Sequence, residues 1–88
     1  ERLAIGFSHV RIVSTEQGPQ LAAALRAAGY GVTELLGRGK EGRVRVVICS
    51  ARRRDLRRVE SIATEIDARC FITVEEIRPL RRGYWRGV

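Results

Sequence analysis

The chain of 88 residues is long enough for one small domain, and its 44% hydrophobic and 31% charged residues exclude an intrinsically disordered segment. No apolar run approaches the ~20 residues needed to cross a bilayer and no signal peptide is recognisable, so we expect a soluble chain in a reducing compartment. The net charge of +7, with Lys40 the single lysine among 17 basic residues, indicates either an anionic partner or an arginine-rich solvated surface.

The first half of the chain predicts a strand, a helix and a second strand. Residues 1–7 are interpreted as a linker, and the apolar and polar alternation of residues 8–15 predicts a strand. Pro19 suits the first turn of a helix over residues 20–28. Gly29 is placed to end that helix, and residues 31–37 form the second predicted strand.

The second half repeats this pattern after a glycine-rich turn at residues 37–42. Residues 43–50 predict a third strand, and Ser50 is placed to cap a second helix. That helix has an apolar stripe that comprises Leu56, Val59, Ile62, Ala63 and Ile66. Residues 70–77 predict a fourth strand that Pro79 ends, and residues 81–88 form a basic tail.

This order of elements predicts an α+β fold of the ferredoxin-like type, β-α-β-β-α-β, over residues 8–80. Its four-stranded antiparallel sheet carries both helices on one face and leaves the other open. The third strand is apolar on both sides, and we assign Val47 and Cys49 to the open side. A solvated face normally alternates to polar residues, so we expect another subunit or a ligand to cover it.

The glycine-rich segment matches the pattern G-x-G-x-x-G. In dinucleotide-binding domains that pattern leads from a strand into a helix, whereas a strand follows here. The segment therefore predicts a hairpin turn that needs positive φ, or a loop that binds a small anion. The candidate ligand-binding residues are Gly37, Arg38, Gly39, Lys40, Gly42 and Arg43.

A second basic cluster, residues 52–54, is predicted to occupy the first turn of the second helix. Cations there oppose the helix dipole, which suggests a function, although a solvated face with salt bridges explains them equally well. Tyr84 and Trp85 lie among further arginines and could stack on bases or enter a membrane interface. The candidate residues facing an anion or a membrane are Arg52, Arg53, Arg54, Arg81 and Arg82.

Catalytic chemistry is not indicated by the sequence. With His9 as the single histidine, we expect no catalytic residues, no metal and no cofactor, and therefore no enzyme. Cys49 and Cys70 lie in apolar, strand-like runs and are interpreted as buried hydrophobic residues. The proposed topology separates them by roughly 20 Å, too far for a disulfide.

Two segments carry a resemblance to a known family. Residues 25–33 look like its signature L-R-x-x-G-Y-G-V-T, and residues 67–78 are similar to its ending D-P-x-A-F-x-x-[IV]-E-D-[IV]-R, with Ala68 and Cys70 departing from it. Over about residues 1–84 the chain resembles the cytosolic C-terminal domain of unknown function of uncharacterised prokaryotic multi-pass membrane proteins, including the YitT type. The resemblance implies a preceding transmembrane region, a place on the cytoplasmic side of the membrane, and a fold related to PII-like and ACT regulatory modules.

These observations favour a non-catalytic regulatory or sensory domain that oligomerises and binds a small anionic ligand. The alternative is a basic nucleic-acid-binding module of the same fold, although the third strand lacks the aromatic residues of RNA-recognition domains. A structural assembly domain is a third hypothesis. In the predicted topology, residues 1–7, 52–54 and 78–86 share one end, which we expect to dock on anionic lipid, and the glycine-rich hairpin lies at the other end.

Overall fold

The computed structural model describes residues 7–77. They form a four-stranded antiparallel sheet of order β2-β3-β1-β4 and two helices, which confirms the predicted ferredoxin-like fold. The elements are, in chain order, β1 (Phe7–Ser14), α1 (Gly18–Ala27), β2 (Gly31–Gly39), β3 (Gly42–Arg52), a 3₁₀ turn (Arg53–Asp55), α2 (Leu56–Ile66) and β4 (Phe71–Glu76). Within the described residues, neither helix has the length and apolar character that crossing a bilayer requires.

The core lies between the two helices and one face of the sheet. Alternate residues of β1 point into it and are buried, as the period of two in a strand requires. The helices contribute apolar residues at helical spacing, and both carry small residues where they approach the sheet. The buried hydrophobic residues are Val10, Ile12, Leu21, Ala22, Leu25, Val32, Val47, Cys49, Ala51, Val59 and Ala63.

The predicted end of α1 is confirmed at Gly29. This glycine adopts φ of +100°, a left-handed conformation that side chains with a Cβ rarely take. The turn lets the backbone N–H of Tyr30 donate to the carbonyl of Leu25 at 3.1 Å and that of Gly29 donate to Arg26 at 2.9 Å. β2 therefore begins immediately after the helix, already in position beside β3.

A polar contact joins the ends of the two halves of the fold. The Ser14 hydroxyl at the end of β1 donates to Asp67 Oδ2 at 2.6 Å and accepts from the backbone N–H of Gln17 at 2.9 Å. Asp67 Oδ1 accepts from the backbone N–H of Arg69 at 2.9 Å. Because Ser14 is buried, these bonds satisfy its hydroxyl and fix the chain before α1 relative to the chain after α2.

The end of β3 differs from the prediction. Ser50 does not cap a helix but lies inside β3, where it pairs with His9 and Gly31. Arg52 is likewise extended and pairs with Phe7, so that residues 52–54 do not form the first turn of α2. The strand continues because β1 offers backbone partners as far as Phe7, an interaction over long sequence distance that local cap signals do not reveal.

The sides of β3 are also the reverse of our assignment. Val47 and Cys49 are fully buried beneath the helices, and Val44, Val46 and Ile48 face the open side. Both sides of the strand are apolar, so its alternation could not identify the core side. The packing of α1 and α2 on the side of Val10 and Ile12 decides it.

Candidate functional site

One row of apolar side chains crosses the open face of the sheet. Val13 pairs with Val46 on one side and Phe71 on the other, and Val46 pairs with Leu35, so these four residues lie side by side across the strands. We call Leu35, Val46, Val13 and Phe71 the apolar row. Its outer members are 49% (Leu35) and 65% (Phe71) exposed, unusual values for large hydrophobic residues in strands.

The remaining rows of the open face become more polar with distance from the apolar row. The next row comprises Thr33, Ile48, Arg11 and Thr73, and the row after it comprises Gly31, Ser50, His9 and Glu75. At the far end the Arg52 guanidinium lies over the Phe7 ring, 4.9 Å from its centroid. The open face is therefore apolar toward the β2–β3 hairpin and polar toward the opposite end.

Charge on the open face is nearly balanced. Its strands carry Arg11 and Arg52 against Glu75, whereas the whole chain carries +7. The ion pairs seen among residues 7–77 lie on the other side of the sheet, Arg26 with Glu34 at 3.1 Å and Arg53 with Glu76. The positive charge of the molecule is thus concentrated elsewhere.

The end of the sheet where β1 begins holds a cluster of five arginines. We call Arg52, Arg53, Arg54, Arg57 and Arg58 the arginine-rich end. Arg53 pairs with Glu76, and Arg58 lies 5.7 Å from the centroid of the Tyr30 ring. α2 has no acidic residue in its first turn, and Asp55 at its N-cap makes no side-chain capping bond. Arg81 and Arg82, predicted to join this cluster, lie outside the described residues.

The glycine-rich segment forms a tighter hairpin than predicted, at the opposite end of the sheet. β2 and β3 pair as far as Gly39 and Gly42, which leaves Lys40 and Glu41 as the turn. Gly42 adopts φ of +121°, the positive φ that the prediction called for. Gly37, Arg38 and Gly39 lie in β2, and Gly42 and Arg43 lie in β3.

Two of the predicted ligand residues of the hairpin are brought together. Arg38 pairs directly with Arg43 across the strands, and like charges in that position are unfavourable in the absence of a counter-ion. Anion binding by the hairpin stays a prediction.

A shallow groove of about 240 Å³ lies between α2 and β4 on the helix side of the sheet. Its lining includes the apolar side chains of Val10, Ile72 and Val74, with Arg57 and Glu60 also lining it. The groove therefore offers apolar contact and one charge of each sign.

Among the described residues, no group of three or more histidine, cysteine or acidic side chains is placed to hold a metal ion.

Both cysteines are free thiols. Burial raises the pKa of the Cys49 thiol to about 11. The pKa of Cys70 is also raised, first by burial and then by the nearby carboxylate of Asp67. Neither thiol has the lowered pKa of a reactive nucleophile.

The sequence did not single out Leu35 and Phe71, the two most exposed members of the apolar row. The sequence predicts Leu35 in the second strand and Phe71 in the fourth, but their position on one row depends on the register between four strands. The signal that could have found them is the alternation of each strand once the central strand is aligned with its neighbours.

Comparison with known proteins places the chain among uncharacterised bacterial proteins. It is 40% identical over 78 residues to a UPF0316 protein of Syntrophotalea carbinolica, a match that covers 89% of this chain and 40% of that protein. The chain spans about two fifths to half the length of the curated relatives that it matches.

Two solved structures share the fold. A functionally unknown protein from Pediococcus pentosaceus superposes with a TM-score of 0.79 at 11% identity, over 90% of this chain and 99% of that one. An uncharacterised DUF2179 protein from Eubacterium ventriosum superposes with a TM-score of 0.61 at 24% identity, over 77% of this chain and 97% of that one. Residues 30–81 match the family described as uncharacterised proteins conserved in bacteria, so that the chain belongs to the DUF2179 family.

Proposed function

We propose that this domain is a non-catalytic regulatory domain of a membrane protein and that it acts by binding a second copy of itself through the open face of its sheet. The observation that carries the proposal is the apolar row, which no element of the described chain covers. The helices pack on the opposite side of the sheet, so nothing within residues 7–77 is placed to cover the row.

Burial of the row favours association. Leu35 and Phe71 are about half or more exposed, and full burial of such a side chain contributes about 1.5–3 kcal/mol. Val13 and Val46 continue the row between them and are partly exposed. A contiguous apolar strip of this kind on a sheet face is typical of an interaction surface.

The charge of the open face favours a second copy over a nucleic acid. Two arginines against one glutamate give this face little attraction for phosphate, despite the net charge of +7 on the chain. RNA-recognition sheets stack bases on exposed aromatic rings of the central strands, whereas Phe71 lies on an edge strand and Arg52 lies over the Phe7 ring. Since like-charged molecules repel, the nearly neutral face is also where two copies can approach most easily.

The cytoplasmic side of a membrane is the location that we propose. The resemblance to cytosolic domains of multi-pass membrane proteins supports it, as does the greater length of the curated relatives, which leaves room for a membrane part. Cytoplasmic segments near membrane helices carry an excess of lysine and arginine. The arginine-rich end would then face the anionic leaflet, while the hairpin points into the cytosol.

The test of assembly compares two lysine substitutions on β4. Phe71 and Val74 are 65% and 51% exposed, but Phe71 is on the open face and Val74 on the helix side. We expect the wild-type domain to dimerise with increasing concentration in sedimentation equilibrium, Phe71→Lys to remain monomeric, and Val74→Lys to behave as wild type. Both positions are exposed, so neither substitution should unfold the chain.

A wild-type domain that remains monomeric up to about 1 mM, a range in which weak specific interfaces are populated, would overturn the proposal. So would equal dimerisation of Phe71→Lys and Val74→Lys.

A further inference from the structure

The register of the open face carries an inference that rests on the proposed function and makes it more specific. We infer that the second copy is related to the first by a twofold axis that runs parallel to the strands, between the two stacked sheets. The axis determines which residues face each other and which ends of the two domains lie together.

Such an axis places each row of the sheet opposite the same row of the other copy, with the order of the strands reversed. Because the order is β2-β3-β1-β4, β4 then lies over β2 of the second copy and β1 over its β3. Phe71 faces Leu35 of the second copy, and Val13 faces its Val46. The apolar row is thus covered along its whole length by apolar side chains.

Some polar side chains also face each other in this arrangement, whereas Arg11 faces Ile48 of the second copy and Glu75 faces its Gly31. Thr73 faces Thr33 of the second copy, and His9 faces its Ser50, so side chains with hydroxyl or ring nitrogen groups lie opposite each other. Arg11 and Glu75 lie diagonally on neighbouring strands, at a spacing that long side chains can bridge. The dimer can therefore enclose these two charges as a neutral pair.

Contact area favours this axis over a twofold axis that also lies between the two sheets but runs perpendicular to the strands. Four strands ~4.8 Å apart and four rows ~6.8 Å apart give a projected area of about 500 Å² per copy, which is small for a specific interface. A perpendicular axis through the apolar row keeps that row covered but leaves the polar rows without a facing sheet. The area would then fall by about half, too little for specific association.

The two axes also differ in the direction of the arginine-rich ends. An axis parallel to the strands leaves both arginine-rich ends on the same side of the dimer, where both can face one membrane. A perpendicular axis places them at opposite ends, and only one could do so. The contact area and the position of the arginine-rich ends, which are independent features of the molecule, thus favour the same symmetry.

Cross-linking between single-cysteine variants tests the axis. Leu35→Cys and Phe71→Cys, each with Cys70→Ser, leave only the buried Cys49 in addition to the new thiol. Disulfides can join facing sheets when the Cβ atoms approach each other. The two variants are mixed and mildly oxidised, and the products are identified by intact mass, since the two chains differ in mass. Far-UV circular dichroism checks that each variant is folded.

We expect the Leu35→Cys to Phe71→Cys disulfide in about tenfold excess over either disulfide between identical chains, because only that pair is held at high effective concentration. The matched control is a mixture of Leu36→Cys and Val74→Cys, which are on the same two strands but on the helix side; it should give no such excess. Selective cross-linking of the first mixture supports the axis.

Other outcomes overturn the axis, and they distinguish its failure from that of the proposed function. Disulfides of Leu35→Cys with itself and of Phe71→Cys with itself indicate a perpendicular axis while the open face still associates. Self-disulfides of Leu35→Cys alone indicate pairing of β2 edges, which overturns both the axis and the open-face contact. Dimerisation of wild type with no selective cross-link also overturns both.

Discussion

Cys49 and Cys70 lie in different environments. The Cys49 thiol is fully buried among the apolar side chains beneath the helices, and burial raises its pKa to about 11 because the thiolate is poorly solvated there. Cys70 is only partly buried just before β4, and its pKa is raised by burial and by Asp67. The Cys70 thiol should therefore be the more accessible of the two.

Alkylation with iodoacetamide at pH 8 measures this difference. We expect Cys70 to react slowly in the native protein and Cys49 to remain unmodified until the chain is unfolded, with peptide mass spectrometry as the readout.

The raised pKa of Cys49 also means that the folded state holds this proton more tightly than the unfolded state. Stability from this group is complete below about pH 9 and decreases as the pH rises toward 11. Urea unfolding at pH 8 and pH 10.5 should show the decrease, and a Cys49→Ala variant should lack that component.

The burial of Cys49 could be expected from its apolar neighbours in sequence, and so could the conformation of Gly29, whereas Cys70, also expected to be buried, is only partly so. The side of the sheet on which Cys49 lies could not. Its strand is apolar on both faces, so the sequence pattern is the same whichever way the strand is turned, and only the docking of the helices distinguishes the two.

At the scale of the elements, the contact between Ser14 and Asp67 ties together β1, α1, α2 and β4. Ser14 is 2% exposed, and it exchanges hydrogen bonds with both Asp67 and the backbone of Gln17. Hydrogen bonds to a charged group are stronger than those between neutral groups, and a buried hydroxyl without its acceptor is costly. The contact thus stabilises the end of β1 against the end of α2.

Replacing Asp67 with alanine should lower the free energy of unfolding by about 2 kcal/mol, because it removes the acceptor of Ser14 and of the Arg69 backbone N–H. Asp67→Asn keeps one carbonyl oxygen and should lose less. The melting temperature should fall by about 8–16 °C for the alanine variant. A loss of less than about 0.5 kcal/mol for alanine, the range of ordinary surface substitutions, would contradict this view of the contact.

The order of elements could be predicted from local sequence patterns, but the start and the end of β3 could not. The strand starts nearer the turn because Gly39 and Gly42 still pair, and it ends later because Arg52 pairs with Phe7. Both extensions depend on a partner strand distant in sequence or on backbone pairing that glycines allow. The apolar row could not be predicted for the same reason, because its members come from four different strands.

At the scale of the whole molecule, charge and apolar surface are separated along the strands. The arginine-rich end lies where β1 begins, the apolar row lies toward the hairpin, and the hairpin itself carries Arg38 and Arg43. Each arginine near an anionic leaflet contributes about 1 kcal/mol of attraction, within a distance of about one Debye length. Docking of one end on a membrane would leave the apolar row free for a second copy.

Sedimentation with vesicles that contain anionic lipid tests this orientation. Arg54 and Arg57 are at the arginine-rich end and form neither of the ion pairs seen in residues 7–77, so Arg54→Ser/Arg57→Ser removes charge without breaking those contacts. We expect this variant to bind at least about tenfold more weakly at low salt. Arg38→Ser/Arg43→Ser removes the same charge from the hairpin and should bind as wild type. Equal losses in the two variants would show that only net charge matters.

Phe7 and Ile77 lie next to each other, and the backbone N–H of Ile77 donates to the Phe7 carbonyl at 3.3 Å. A mechanical load would nevertheless act differently at these two points. β1 is bonded to a strand on each side, so tension on Phe7 along the strand loads the bonds to β3 and β4 together, in shear. Tension that lifts Ile77 away from the sheet breaks the bonds of the edge strand β4 one after another. The first strand is therefore the stiff connection to the core, through Val10 and Ile12, and the last strand is the one that yields.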